Sequence, residues 1–198
     1  PIPFEGRILP SYVHGVKLIS MDYFVKKDEA VIWRGPMLHK AIEQFLYEVI
    51  WQDIDILLID MPPGTGDVSI SLSQFLPISE TLIITTPQKT SSDVAQRAGI
   101  MANKVKSDVL GVVENMSFIQ NGEERLFPFG EGGGEALAKN LDTSLFGHIP
   151  LDPELGKLAD SGKLISSKDT EVYKVFTEIG KKIIDTKPKK IPLNISIN

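Results

Sequence analysis

The sequence predicts an α/β fold, a doubly wound and mostly parallel sheet with helices on both faces. Three observations carry that expectation. Short, nearly continuous apolar runs recur at 54–59 (IDILLI), 81–86 (TLIITT) and 109–113 (VLGVV), the pattern of parallel strands covered on both sides. Segments with helical spacing separate them, so strand and helix alternate. The runs end in residues with chemistry to offer: Asp60, Thr85-Thr86-Pro87-Gln88, Glu114-Asn115 and, after a shorter run at 145–149, Pro150-Leu151-Asp152. In an open parallel sheet the ligand site lies at the carboxyl ends of the strands, so these four ends are expected to converge on one edge.

Bulk composition narrows the function classes. The 198 residues suffice for one sizeable domain, taken as residues 1–198 with a frayed tail over 186–198. The net charge of -5 argues against a nucleic-acid module. There is no cysteine, so disulfides, zinc–thiolate sites and thiolate-held iron–sulfur clusters are excluded within this chain. No apolar run approaches the length of a membrane span, and no leader-like start is present, which makes the cytoplasm the expected location.

Taken in order, residues 1–13 carry three prolines and no period and read as an irregular lead-in. Val16–Met21 reads as a short strand. From Met37 the apolar positions Leu38, Ala41, Ile42, Phe45, Leu46 and Val49 share one helical face, with Pro36 suited to the first turn. Trp33 and Arg34 precede it as a helix entry. Residues 54–59 form the expected central strand, and 67–76 a helix with Val68, Leu72, Phe75 and Leu76 inward. Strand 81–86 is followed by a helix from Thr90 to Lys106, then by strand 109–113. Residues 117–129 read as a loop or hairpin, and 131–141 as a helix after a glycine run. Strand 145–149 follows, then a short helix opened by Pro153. In 171–185, Val172, Val175, Phe176, Ile179 and Ile183 make one apolar stripe.

The richest stretch is 55–67, DILLIDMPPGTGD. An apolar run delivers the Asp60 carboxylate to a glycine turn, where it can hold a magnesium ion whose remaining ligands come from nucleotide phosphates. The Gly64-Thr65-Gly66 turn offers unobstructed backbone N–H groups to a terminal phosphate. The plainer alternative is a strand-end acid capping a turn. Asn115 can give a donor and an acceptor to a purine edge, or simply form a turn. Asp152 can bond a ribose hydroxyl, or cap the turn that follows it. The run Gly130-Glu131-Gly132-Gly133-Gly134 is not expected to be a phosphate loop, because no Lys-Ser or Lys-Thr follows; it suits a flexible turn or a close helix approach. His14, His39 and His148 are dispersed and show no ligand spacing.

Six stretches together resemble the Mrp/ApbC family of P-loop ATPases, relatives of MinD and of the nitrogenase iron protein. They are VIWRGPM (31–37), DILLIDMPPGTGD (55–67), TTPQ (85–88), GVVENMSF (111–118), FGEGGGE (129–135) and GHIPLDPEL (147–155). The resemblance implies a deviant-Walker-A P-loop NTPase fold and a cytoplasmic homodimer that hydrolyses ATP with Mg2+ in iron–sulfur cluster assembly or transfer, with iron–sulfur apoproteins as clients; the acidic charge and the lack of a long apolar run leave neither nucleic acid nor membrane as an expected partner. It implies that Asp60 is the Walker B acid and that Gly64 sits by the γ-phosphate in the second switch. Asn115 would contact adenine, and Pro150 and Asp152 would line base and ribose. Two departures accompany it. No GKGGVGKS-like stretch occurs in the 198 residues, so the β–P-loop–α unit is expected upstream of residue 1. The family's CxxC pair should fall between Ser117 and Phe127, where this chain reads FIQNGEERL. A non-catalytic scaffold with the same fold is the competing expectation.

Overall fold

The computed structural model describes residues 1–24, 35–62, 67–163 and 170–186. Trp33, Arg34, Gly64, Thr65 and Gly66, and the tail from 187 onward, lie outside the described residues. Among the described residues, contacts gather into two units, one over Pro1–Pro77 and one over residues 78–186.

The first unit opens with two antiparallel hairpins, not an irregular lead-in. β1 (Ile2–Phe4) pairs with β2 (Arg7–Leu9), and β3 (Ser11–Val13) with β4 (Val16–Leu18). Each turn has two residues with positive φ: Glu5 at 48° and Gly6 at 75°, then His14 at 52° and Gly15 at 83°. That pair of left-handed residues is the tight hairpin turn whose twist matches the strands. The strand expected over 16–21 is therefore shorter, and a 3-10 turn follows at Met21–Phe24. α1 (Gly35–Tyr47) forms as the apolar spacing requires, with Ala41 and Leu46 buried. Beyond it Val49 makes one parallel bridge to Ile8. Trp51 is buried and donates its ring N–H to the Phe45 carbonyl at 2.7 Å. α2 (Asp67–Phe75) packs beside α1: His39 Nδ1 lies 2.9 Å from the Ser71 hydroxyl, and Tyr47 meets the Phe75 ring edge-on.

Residues 54–59 correct the expectation of a central buried strand. They have no ladder partner among the described residues, and Ile56 and Leu58 are 51% and 84% exposed. An apolar run becomes a strand only where a neighbouring backbone takes its N–H and C=O groups. The strands described in this unit pair with one another in hairpins instead.

The second unit is the expected α/β sandwich. β5 (Glu80–Thr85), β6 (Asp108–Glu114) and β9 (Leu145–His148) form a parallel sheet in the order β5-β6-β9. α3 (Lys89–Lys104) connects β5 to β6. Between β6 and β9 run the hairpin β7 (Ile119–Asn121) and β8 (Glu124–Leu126) and then α4 (Gly133–Asn140). α5 (Pro153–Asp160) and α6 (Glu171–Asp185) complete it. Successive residues of β6 point to opposite faces. Val112 joins Ile83, Ala95, Leu137, Ala138 and Leu141 under α3 and α4, whereas Val113 joins Phe146, Ile149 and Ile179 under α6. The sheet is thus covered on both faces by the stripes legible in the sequence.

Gly111 marks the tightest point of the second face. A Cβ there would run into the Phe146 ring. Gly111→Ala is expected to lower stability by roughly 1–3 kcal/mol, the usual cost of overpacking a filled core. Urea unfolding followed by circular dichroism measures it; an unchanged midpoint would mean the ring can step aside.

Candidate nucleotide site

The carboxyl edge of the sheet is extended by backbone pairing past the strand ends. Asn115 N–H donates to the Thr85 carbonyl at 2.7 Å, and Ile149 N–H to the Glu114 carbonyl at 2.8 Å. Ser117 N–H reaches the Ile149 carbonyl at 2.9 Å, and Leu151 N–H the Phe118 carbonyl at 2.7 Å. This zipper brings Asn115, Pro150 and Asp152 to one edge, beside the end of β5. Pro150 is buried, while Asn115 and Asp152 are half-buried.

Both polar residues do some of the plainer work weighed for them. Asn115 Oδ1 accepts from Met116 N–H at 2.9 Å, which supports the left-handed Met116. Its Nδ2 amide keeps two donors to offer. Asp152 caps α5, accepting from Glu154 N–H at 2.8 Å through Oδ1, with Pro153 at the first helical position. The helix α3 begins without a side-chain cap of its own; Ser91 Oγ turns back instead and accepts from Thr86 N–H at 3.3 Å.

Asp60 belongs to the first unit, exposed at the end of the unpaired stretch. Gly64 lies outside the described residues.

The most heavily bonded carboxylate at the edge is one to which the sequence assigned no role beyond ending a strand. Glu114, the last residue of β6, is 2% exposed. Its Oε2 accepts from Gly134 N–H at 2.6 Å, and its Oε1 from the Ser117 hydroxyl at 2.8 Å. His148 Nδ1 stands 3.0 Å from Oε1, and His148 Nε2 lies 3.1 Å from Glu135 Oε1. The glycine run makes this possible. Gly132, at φ 80°, ends the loop; a Cβ on Gly133 would strike the Pro87 carbonyl, and one on Gly134 would stand 2.8 Å from Glu114 Cβ. The run is therefore the close helix approach foreseen as one alternative. The available signal was a carboxylate ending a buried strand, which requires partners.

The stretch where a CxxC pair was expected is the β7–β8 hairpin. Arg125 stacks over the Phe118 ring, 4.0 Å from its centroid, and pairs with Glu171 at 3.3 Å. No thiolate is available there, since the chain has no cysteine.

A family model described as "NUBPL iron-transfer P-loop NTPase" matches residues 3–184. The chain belongs to this family. It is 46% identical over 188 residues to an iron–sulfur cluster carrier protein of Mycobacterium leprae, and 40% identical over 185 residues to that of Bacillus subtilis. These alignments take in 90% of this chain but 49% and 52% of the relatives, so the chain spans about half the length of the carrier proteins it matches. Among solved structures, the nucleotide-binding protein of Archaeoglobus fulgidus in complex with ADP superimposes with a TM-score of 0.66 at 32% identity, over 81% of this chain and 63% of that one. The cell-division ATPase MinD of Pyrococcus furiosus has the same fold, with a TM-score of 0.57 at 22% identity over 79% of this chain and 63% of its own. The family member described here is thus an α/β P-loop NTPase with MinD-like structural neighbours. Among its described residues no helix is long and apolar enough to cross a membrane.

Proposed function

We propose that residues 1–198 are the C-terminal part of one P-loop ATPase domain, which binds ATP and hydrolyses it with magnesium in the service of iron–sulfur cluster assembly or transfer. The observation that carries the nucleotide reading is the backbone zipper that gathers Asn115, Pro150 and Asp152 at the carboxyl edge. The free Nδ2 donors of Asn115 suit the acceptors of a purine, Pro150 gives an apolar wall, and the second carboxylate oxygen of Asp152 suits a ribose hydroxyl. Exposed Asp60 is a hard-oxygen donor of the kind magnesium takes. Bound there, the ion would neutralise charge on the phosphates. Asp60 would hold the ion's shell and attack nothing, while Gly64 would meet the γ-phosphate with backbone N–H and report its loss.

The cluster would be cargo. The chain's residues do not fit a thiolate-held cluster, because it has no cysteine. No transfer step is therefore assigned to its side chains. A cytoplasmic homodimer with apoprotein clients completes the proposal. A second reading, a non-catalytic scaffold of the same fold, is favoured by the cysteine-free hairpin.

Titration of the full-length protein with a fluorescent ADP analogue tests the nucleotide reading. Binding is expected, and Asn115→Ala is expected to weaken it about tenfold, the worth of a good hydrogen bond. Equal affinity in the variant would remove Asn115 from the base site. Absence of binding would favour the scaffold.

A further inference from the structure

The contact between His148 and Glu135 stands apart from the nucleotide residues and rests on none of the assignments above. Glu114, Glu135 and His148 each place one ligand-capable atom within 4.8 Å of the others. The three do different work. Buried Glu114 acts as an acceptor, already receiving Gly134 N–H and the Ser117 hydroxyl, and His148 Nδ1 adds a third donor to it at 3.0 Å. Nδ1 therefore carries the ring hydrogen. In the neutral form of the ring that is its only hydrogen, and Nε2 then offers a lone pair. That lone pair faces Glu135 Oε1 at 3.1 Å. Two acceptors repel at such a distance unless a cation joins them.

We propose that Nε2 of His148 and the carboxylate of Glu135 are the protein ligands of a divalent transition-metal ion of the zinc class, with solvent completing its shell. A tetrahedral ion with bonds of about 2.0–2.1 Å sets its ligand atoms about 3.3 Å apart, close to the 3.1 Å found. The site has the layered construction of such centres, in which a buried carboxylate takes the other N–H of a ligating histidine and fixes its tautomer. It is also open to entry, since the side chains of His148 and Glu135 are 37% and 53% exposed. Imidazole with one carboxylate selects zinc, cobalt or nickel over magnesium, so this site does not compete with Asp60 for its ion. An ion here would tie the first turn of α4 to the end of β9, one residue before the Ile149-Pro150 segment.

A proton on Nε2 would also join the two groups, and one experiment separates the occupants. The full chain is titrated with zinc in mildly alkaline buffer by calorimetry, and with cobalt by visible absorption. Millimolar magnesium is present throughout. One ion per chain is expected. His148→Gln should abolish uptake and Glu135→Gln should weaken it about tenfold or more, with melting temperatures near the parent's for the exposed Glu135 change. His14→Gln and His39→Gln, the chain's only other histidines, should bind as the parent does. In nitrogen-15 spectra of the parent, zinc should shift His148 Nε2 while Nδ1 stays protonated. No uptake, uptake unchanged in His148→Gln, or a His148 ring that stays doubly protonated when zinc is added would overturn the proposal.

Discussion

Asp60→Ala in the full-length protein is expected to lower magnesium-dependent phosphate release from ATP by about a hundredfold or more, the scale on which removing a single charge-stabilising group acts on a polar transition state. Phosphoryl transfer asks little covalent chemistry of the protein. Positioning and charge neutralisation carry nearly all of it, so one lost magnesium-shell oxygen has a large effect. Among the described residues the Asp60 side chain is exposed and outside the ladders of both units, so its removal is expected to leave folding intact. The melting temperature should stay within a degree or two of the parent's, since exposed substitutions seldom exceed about 0.5 kcal/mol. Asp60→Asn separates geometry from charge: it keeps an oxygen in place but removes the negative charge, and it too should lose most turnover. Phosphate release at the parent's rate in both variants would take the metal role away from Asp60. A parent without turnover, but with ADP bound, would favour the scaffold.

The sequence spoke most clearly where burial alone decides structure. The stripe from Val172 to Ile183 predicts a helix over 171–185, and α6 has those bounds. The runs at 81–86 and 109–113 became β5 and β6 because each has a parallel neighbour and helices on both faces. The run at 54–59 carries the same signal in its own residues, yet the strand state depends on a partner backbone, which no local pattern encodes. The two opening hairpins failed for the opposite reason. Their turn signals, Glu5-Gly6 and His14-Gly15, are local, but three prolines in the first thirteen residues masked strands only three residues long. That Asn115, Pro150 and Asp152 share one edge was legible because topology sends parallel strand ends there. The Glu114–His148–Glu135 arrangement was not. His148 is 34 positions from Glu114, and no spacing rule links a histidine to a carboxylate across two strands and a helix.

Glu114→Leu is expected to destabilise the second unit by roughly 1–3 kcal/mol, the cost of leaving a buried donor without its acceptor. The leucine fits the space but accepts nothing. It leaves Gly134 N–H facing an apolar group, an orphan that costs about 1–3 kcal/mol, while the Ser117 hydroxyl keeps the Glu114 main-chain carbonyl, 3.0 Å away, as its acceptor. Glu114→Gln should cost less, since its amide oxygen still serves one side of the pair while its NH2 meets a donor on the other. The damage should also have a location. The zipper from Asn115 to Leu151 uses backbone groups only, so β6 and β9 keep their pairing in the variant. α4 is different: its first turn is drawn to the sheet by the Gly134–Glu114 bond, across a gap that only glycine permits. Amide exchange in Glu114→Leu should therefore rise first over residues 133–137 and least at Val112 and Val113. Stability within about 1 kcal/mol of the parent, with exchange in α4 unchanged, would show that apolar packing of Leu137 and Ala138 holds the helix without the carboxylate.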